Sequence, residues 1–424
     1  MEIAGAICLA IFIATLGVLL LGKFNETAVV LFGMALSALV LIIVGGKSFN
    51  LMMGLVGWDT IMFITAMMII IAVVGSSGMF QYIALILAIR TAGDVRKIFV
   101  LFMVLVYVIS LIIHPLPTVL IMGTFTVEIC KGLDADFKPF LMAECVIANF
   151  ASIPTPIASV PNLLIVFLAE LDIGLMFVVL MPLSLVLLGV TIWYMLRYLK
   201  DAPFPSPTDH VNELLMVDPK VMIKSRSDFY VSLIALVILM IGMILAPADS
   251  AVVALLVAAG LLILSFSRAK DLLNRLSWDT IFFVVGLFGM VAAMEATGVI
   301  VDIVTGMTTI VGSNIFIAAA ILIWLPGLIL SPIDAIPVAA LLAPVATGFG
   351  ALNPVVPFSL VIGANLNGYV IPFGDAPNMV VVSLAEKENR PLTWWEFTKV
   401  VTPLGVLHLI ISTLYIFGAG LLIP

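Results

Sequence analysis

Polar, proline-rich interruptions in an otherwise apolar chain contain the residues that could do chemistry. There are two short turns, at residues 114–118 and 331–337, and two longer breaks, at residues 149–162 and 365–378. Proline has no amide proton and disfavours helix in the residue before it, so these segments leave carbonyls without helical partners. At membrane depth such backbone is tolerated only where protein covers it or it lines a water-filled cavity. The interruptions therefore predict a shielded polar binding site.

Three carboxylic acids lie in or beside these interruptions. Asp334 lies in the second turn, Asp375 in the second break, and Glu144 on the segment leading into the first break. An ionisable group inside a membrane is costly unless it is used or paired. We predict that Asp334 and Asp375 couple binding to a proton or Na⁺; the alternative is a hydrogen-bonded cap that holds each loop in shape. Glu144 either serves a ligand or proton or partners nearby backbone.

Three further side chains have two interpretations each. His114 could titrate near neutral pH, or it could only donate a hydrogen bond at the turn. Asn149 and Asn365 offer both a donor and an acceptor, and either line the site or hold loop and turn together. Each break ends in Pro-Asn, where the amides and dipole of a new half-helix can hold an anionic or polar ligand.

The candidate substrate- and ion-binding residues are His114, Pro117, Thr118, Glu144, Asn149, Ser152, Thr155, Asn162, Ser331, Asp334, Asn365, Asn367, Asp375 and Asn378. If Na⁺ binds, we expect it near Asn149, Asn365, Asp334 and Asp375. No catalytic residue and no other cofactor is expected, because the sequence has neither an ATP-binding motif nor a hydrolase arrangement. The three cysteines lack metal-ligand spacing and are expected to be packing residues.

The elements that position these residues are membrane helices. The chain has 424 residues, of which 63% are hydrophobic and 10% charged. Several apolar runs approach the roughly 20 residues that cross a bilayer, and the first lacks the features of a cleaved signal peptide. The net charge of −7 is spread over short loops, which indicates no nucleic-acid partner. We predict an all-α polytopic protein whose main partner is the lipid bilayer.

The sequence contains an internal repeat. Residues 58–61, Trp-Asp-Thr-Ile, recur at 278–281, and the turn at 114–117 aligns with 334–337, both 220 residues apart. Ala-Asn at 148–149 and Pro-Asn at 161–162 recur 216 residues later. A polar stretch with four prolines separates the copies. We predict a first repeat over residues 1–197, a cytoplasmic linker over 198–226 and a second repeat over 227–424.

The number of crossings decides how the repeats are oriented. The proline-interrupted stretches at 98–130 and 314–348 have short second legs; from residue 118 to 131 a helix would reach only about 21 Å. We interpret both stretches as re-entrant hairpins, which leaves five spans per repeat, about ten in all, and makes the second repeat inverted. With both termini outside, only Lys47 among the 18 basic residues lies outside. The others lie inside: Lys23, Arg90, Arg96, Lys97, Lys131, Lys138, Arg197, Lys200, Lys220, Lys224, Arg226, Arg268, Lys270, Arg275, Lys387, Arg390 and Lys399.

Together these motifs resemble the ion transporter superfamily, in particular its arsenite-permease and NhaD-type antiporter branch, which has a citrate-transporter-like domain. That branch has a hairpin tip of the form Asp-Asn-x-Pro/Thr-Thr, and residues 334–337 keep its Asp-x-x-Pro frame. Its break ends in Thr-x-Ile-Gly-x-x-Pro-Asn, of which Thr155, Ile157, Pro161 and Asn162 are present. The sequence differs from these motifs at two positions: His114 replaces the aspartate of the first hairpin tip, and Ala158 replaces a glycine of the loop.

The resemblance implies an elevator mechanism, usually in a homodimer, in the cytoplasmic (inner) membrane. It implies scaffold parts over residues 1–92 and 227–310 and transport parts over 97–197 and 312–424. Our first hypothesis is H⁺- or Na⁺-coupled movement of a small oxyacid or anion, such as arsenite or antimonite, because the interruptions lack lysine and arginine. The alternative is a Na⁺/H⁺ antiporter. A dicarboxylate symporter is disfavoured because neither tip reads Ser-Asn-Thr, and two sets of broken helices argue against a receptor.

Overall fold

A computed structural model of the chain describes residues 3–20, 24–91, 94–199, 218–223, 226–245, 250–264, 269–274, 276, 278–311, 314–331, 335–350, 353–370 and 375–423. Within these ranges every regular element is helical, as the sequence predicts. The first half contains α1 (Ile3–Leu20), α2 (Glu26–Ile43), α3 (Phe49–Leu55), α4 (Trp58–Ser76), α5 (Met79–Arg90), α6 (Val95–Ser110), α7 (Pro115–Gly132), α8 (Lys138–Ala151), α9 (Val160–Leu168) and α10 (Ile173–Tyr198).

The described residues of the second half form ten helices. They are α11 (Arg226–Leu245), α12 (Ser250–Leu264), α13 (Ala269–Asn274), α14 (Trp278–Ala296), α15 (Val299–Val311), α16 (Ile315–Trp324), α17 (Ala335–Gly350), α18 (Phe358–Val370), α19 (Ala376–Lys387) and α20 (Trp394–Leu422). A 3₁₀ turn over Pro219–Met222 precedes them, and a π-helical turn over Leu325–Ile329 follows α16.

Polar side chains fix where several helices begin. Asn25, Asp172 and Thr393 accept hydrogen bonds from free amides in the first turns of α2, α10 and α20. Asp94 does the same at α6, and the amide of Lys97 and the nearby Lys97 ammonium hold the pKa of that carboxyl below its usual value. Capping residues in the loops thus define the helix starts that the apolar runs alone leave open.

Helix length and apolar character identify only part of the expected membrane crossings. Within the described ranges, α10 and α20 are long and apolar enough to span a bilayer, and the bent pair α4 and α5 would make a third span if taken together. The remaining apolar helices, including α1, α2, α12 and α14, have 10–17 residues in their apolar stretches. The chain is therefore a polytopic membrane protein by composition and helix content, and the number of ten spans stays a prediction.

The second leg of the first proposed hairpin is longer than expected. Helix α7 begins at Pro115, not near Thr118, and has 18 residues. Pro115 and Pro117 occupy its first turn, where a proline loses no intrahelical hydrogen bond. The prolines therefore start the helix and do not interrupt it, which is why the sequence estimate of its length was too short.

Contacts between the two halves come in reciprocal pairs. Helix α2 packs on α14 as α12 packs on α4, and α9 packs on α17 as α19 packs on α7. The broken helices α8 and α18 pack on each other. Local contacts correspond too, since the indole nitrogens of Trp58 and Trp278 donate to the carbonyls of Met53 and Leu273, 3.0 and 3.2 Å away. Corresponding motifs thus occupy corresponding positions.

Ion pairs bring together loops from different halves. Lys131, at the end of α7, pairs with Glu388 after α19, and Lys138 Nζ lies 3.1 Å from Glu396 Oε2. At another site, the Thr347 hydroxyl of α17 donates to the carbonyl of Leu168 at the end of α9, 3.2 Å away. The loop after α7 therefore lies beside the loop after α19, and the end of α17 lies beside the end of α9.

The close packing of α2 on α14 depends on glycine, which gives a testable difference. A Cβ on Gly286 would lie 3.1 Å from the backbone atoms Val30 C and Leu31 N, whereas a Cβ on Gly289 would meet only the flexible side chain of Met34. We expect Gly286→Ala to lower the free energy of unfolding by about 1–3 kcal/mol, and Gly289→Ala to lower it by clearly less. Thermal unfolding of both variants in detergent measures the two decreases, and equal decreases would contradict this prediction.

Candidate functional site

Both longer breaks occur where the sequence predicts them. The first lies between α8, which ends at Ala151, and α9, which begins at Val160. The second lies between α18 and α19, and of its residues Asp375 is described. In each, the Pro-Asn asparagine donates its amide to a carbonyl ten residues earlier: Asn162 to Ser152 (2.8 Å) and Asn378 to Gly368 (2.7 Å). The two asparagines thus tie each half-helix to the helix before it.

Asparagines of the two breaks also bind each other in the protein interior. The Ser152 hydroxyl donates to Asn365 Oδ1 at 2.7 Å, and the Asn365 amide donates to Asn162 Oδ1. Ser152 and Asn162 are fully buried. Because residues more than 200 positions apart share these bonds, the first break and α18 are held as one unit.

A second group of oxygens surrounds Gly368. Asn149 Oδ1 and Asp375 Oδ2 each lie 3.0 Å from the position that a Cβ on Gly368 would take. The other oxygen of Asp375 accepts from the amide of Ala376 at 2.8 Å and caps α19. Amide and carboxylate oxygens are the ligands that hard cations prefer. This arrangement places Asn149 and Asp375 on the same side of Gly368, and the Na⁺ site remains a prediction, since Asp334 lies outside the described residues.

One cysteine has a polar contact that sequence reasoning missed. The Cys145 thiol donates to Asn378 Oδ1, one turn before Asn149 on α8. Cys8 and Cys130 are buried free thiols, and the Cys8 thiol donates to the carbonyl of Ser37 at 3.8 Å. Spacing alone could not reveal the contact of Cys145, because Asn378 is 233 positions away and meets it only in the folded chain.

Glu144 is fully buried and lies apart from the asparagine cluster. The Thr126 hydroxyl of α7 donates to its Oε1, and within the described residues its Oε2 has no hydrogen-bond partner. Gly123 of α7 faces this oxygen. The carboxyl therefore bridges α7 and α8 and does not face Asn149 or Asn162.

Several predicted residues donate to or accept from backbone groups in and around the turns. His114 caps α7, the Thr118 hydroxyl donates to the His114 carbonyl (3.2 Å), and the Thr155 hydroxyl donates to the Leu111 carbonyl (2.8 Å). In the second half, the Ser331 hydroxyl donates to the Asn367 carbonyl at 2.7 Å. These bonds join each turn to the neighbouring broken segment. Pro117 lies in the first turn of α7, and the buried Asn367 lies on α18.

A cavity of about 580 Å³ lies between α4, the start of α7 and the first break. Its wall is mostly apolar, with Met67 and Ile71 of α4 facing Pro117 and Ile157, and His114 and Ser159 add polar groups. Ser159 is 6% exposed and its hydroxyl has no hydrogen-bond partner among the described residues. Sequence reasoning missed Ser159, although it corresponds to Asp375 at the repeat separation of 216 residues. The described residues contain no cluster of three or more histidine, cysteine or acidic side chains suited to a metal.

If Na⁺ binds at these oxygens, filling the space beside Gly368 is expected to weaken its binding. In Gly368→Ala the added methyl group would push Asn149 Oδ1 and Asp375 Oδ2 apart, so we expect the half-saturating Na⁺ concentration to rise about tenfold. Na⁺-dependent uptake into proteoliposomes measures it. Gly189→Ala is the control, since its Cβ on α10 would meet no atom within 4 Å. An unchanged Na⁺ dependence in Gly368→Ala would refute the assignment of these oxygens.

Comparison with known proteins identifies the family. The model of a family described as citrate transporter matches residues 16–356. The chain is 25% identical to a 46 kDa membrane protein of Mycobacterium leprae, covering 97% of this chain and 98% of that one, and 26% identical to an uncharacterized transporter of Mycobacterium tuberculosis, covering 97% of each. It is also 28% identical to the magnetosome protein MamN of Magnetospirillum gryphiswaldense, over 81% of this chain and 79% of that one. This chain belongs to the citrate transporter family, within the ion transporter superfamily.

Proposed function

We propose that this chain is a secondary active transporter that moves a small oxyacid or anion, such as arsenite or antimonite, across the cytoplasmic membrane, coupled to H⁺ or Na⁺. The observation that supports this best is the buried cluster of Ser152, Asn162 and Asn365, which joins two helix breaks through neutral amides and a hydroxyl. Such groups both donate and accept, which suits a hydroxylated neutral acid. The four interruptions contain no lysine or arginine to hold a polyanion.

Citrate or a similar carboxylate is the second candidate, because the family that the chain belongs to is described as citrate transporter. The hairpin tips here lack Ser-Asn-Thr, and no positive side chain lies in the interruptions. A carboxylate would therefore need its charge neutralised by protons or by a cation that travels with it. This requirement separates the two candidates experimentally.

The coupling ion is proposed to bind at Asn149 and Asp375, with Asp334 from the second turn. A Na⁺/H⁺ antiporter would use the same oxygens without an oxyacid, and is the third candidate. Asn149 Oδ1 and Asp375 Oδ2 converge beside Gly368, which supports a cation site for either function. The bond from Thr155 in the first break to Leu111 before the first turn, and the bond from Ser331 in the second turn to Asn367, support a site built from both turns.

We further propose that the second repeat is inverted relative to the first. The reciprocal helix pairs support a two-fold relation between the halves. Five spans per repeat would make that axis lie in the membrane plane, with both termini outside and re-entrant hairpins at α6–α7 and α16–α17. The ion pairs of Lys131 and Lys138 fit this topology, since they would join two loops on the inner face.

The mechanism we propose is an elevator in which the transport parts, residues 97–197 and 312–424, move against the scaffold parts, residues 1–92 and 227–310. In the contacts between the two halves, α1–α4 pack chiefly with α11–α14, and α7–α10 chiefly with α17–α20. The cavity between α4 and α7 lies on the boundary of these groups and provides a route to the first break. We propose a homodimer assembled through the scaffold parts.

Purified protein in proteoliposomes that contain a pH-sensitive dye tests the proposal. An imposed pH gradient is followed after adding Na⁺ alone, arsenite or antimonite, and citrate with or without a divalent cation. Collapse that requires the oxyacid supports the first candidate, collapse that requires citrate supports the second, and collapse on Na⁺ alone supports the antiporter. No response to any solute, with protein in both orientations and with Na⁺ gradients as well, would refute coupled transport of these solutes.

A further inference from the structure

His408 is a buried polar residue at a meeting point of four helices. It lies on α20, and its Nδ1 is 2.8 Å from the Tyr369 hydroxyl of α18. Its Nε2 is 3.3 Å from the Thr191 hydroxyl of α10, and the ring of Phe150 from α8 packs edge-on at 5.4 Å. The imidazole thus touches both broken helices, α8 and α18, and both last helices of the repeats, α10 and α20.

The hydrogen-bond contacts favour one tautomer of the His408 ring. The Thr191 hydroxyl donates to the carbonyl of Leu187 at 2.8 Å, a shorter contact than its 3.3 Å to His408 Nε2, which favours accepting from that nitrogen. The contacts therefore favour the tautomer with the proton on Nε2, in which Nδ1 accepts from the Tyr369 hydroxyl. The neutral ring satisfies both neighbours and fixes the position of Tyr369.

The same face of α20 holds the end of α18 where the second break starts. The Thr402 hydroxyl donates to the carbonyl of Val370, the last residue of α18, at 2.7 Å. A Cβ on Gly405 would lie 2.9 Å from Val370 Cγ2, so glycine allows the two helices to approach closely. Thr402, Gly405 and His408 recur every three residues and therefore lie on one face of α20. The last carbonyls of a helix have no intrahelical hydrogen-bond donor, and the Thr402 hydroxyl on this face of α20 supplies a donor for one of them.

We propose that His408 is a positioning residue for the second break: by accepting from Tyr369 it fixes the end of α18, and with it Gly368 and Asp375. The expected effect on Na⁺ binding rests on the proposed transport function, since the oxygens beside Gly368 are those assigned to the coupling ion. The geometry of the contact itself does not depend on that assignment.

A matched pair of substitutions tests which ring nitrogen of His408 holds the end of α18 in position. In His408→Asn the side-chain oxygen can replace Nδ1 and still accept from Tyr369, whereas in His408→Gln the amide can replace Nε2 and still donate to Thr191. We expect His408→Gln and Tyr369→Phe each to raise the half-saturating Na⁺ concentration about tenfold with little change in maximal rate. His408→Asn should stay within about threefold, and Tyr369→Phe combined with His408→Gln should be no worse than either alone.

Hydrogen exchange separates this proposal from the proposed function, because it needs no transport. In the full chain in lipid nanodiscs, the amides of residues 366–370 should exchange at least about fivefold faster in Tyr369→Phe and His408→Gln than in the parent protein, and at the parent rate in His408→Asn and Thr191→Val. Faster exchange without any Na⁺ effect would support the positioning role and count against the ion assignment. Equal exchange in all four variants, or a larger effect in His408→Asn than in His408→Gln, would overturn the proposal.

Discussion

Asn365→Asp is expected to reduce transport at least a hundredfold. The change keeps the shape of the side chain but removes the amide that donates to Asn162 Oδ1 and to the carbonyl of Val361. It also sets a carboxylate against both acceptors. An uncompensated buried charge costs about 3–5 kcal/mol, and each 1.4 kcal/mol is a factor of ten. Uptake of arsenite, citrate and Na⁺ into proteoliposomes, at matched protein content, measures the loss.

The control for this change is Asn389→Gly. Asn389 is exposed and has a φ of 57°, a conformation that glycine adopts readily, so folding and transport should be unchanged. Near-normal uptake by a properly folded Asn365→Asp protein would mean that the asparagine cluster is no part of the site.

Cross-linking α4 to α7 is expected to abolish transport reversibly. The side-chain end of Ile121, Cδ1, lies 3.4 Å from the position of a Cβ on Gly75, across the boundary of the proposed scaffold and transport parts. A cysteine pair at these positions, joined by a short thiol cross-linker, would prevent the two parts from moving past each other. We expect transport to fall to background and to return when a cleavable linker is reduced. Cys8, Cys130 and Cys145 are first replaced by alanine, alanine and serine.

A cysteine pair inside the proposed scaffold provides the matched control. A Cβ on Gly242 would lie 3.6 Å from the Cβ of Val253, within the range that a disulfide spans. Oxidation of Gly242→Cys with Val253→Cys joins α11 to α12 and should leave transport intact. If the fully cross-linked α4–α7 pair transports as fast as this control, movement of one part against the other is not required.

The sequence predicts the elements of this fold better than their contacts. Helices α4 and α14 begin at Trp58 and Trp278, and both breaks end at the predicted Pro-Asn pairs, because apolar runs, prolines and caps are local signals. The proline-rich start of α7 was misjudged, since proline in a first turn and proline within a helix look alike until the helix start is known. The internal repeat shows which residues of the two halves correspond, but it does not show which residues are in contact.

For the candidate site, too, the sequence indicates individual residues better than the contacts between them. Asn149, Asn162, Asn365 and Asp375 could be selected because each is polar in an apolar setting, and the structure brings them to two adjacent groups around Ser152 and Gly368. Cys145, Ser159 and His408 were missed because their types are unremarkable alone and their partners lie far away in the chain. Thr118 bonds to the carbonyl of His114 four residues earlier, and Thr155 to the carbonyl of Leu111 44 residues earlier; sequence spacing does not reveal the second contact.

The inversion of the second repeat is tested most directly by labelling residues that correspond in the two copies. Asp134 and Pro354 are 220 residues apart, Glu170 and Glu386 are 216 apart, and all four are exposed. In single-cysteine variants, a membrane-impermeant maleimide added to intact cells should label positions 354 and 170 from outside and reach 134 and 386 only after permeabilisation. Labelling of positions 134 and 354 from the same side would contradict the inverted repeat.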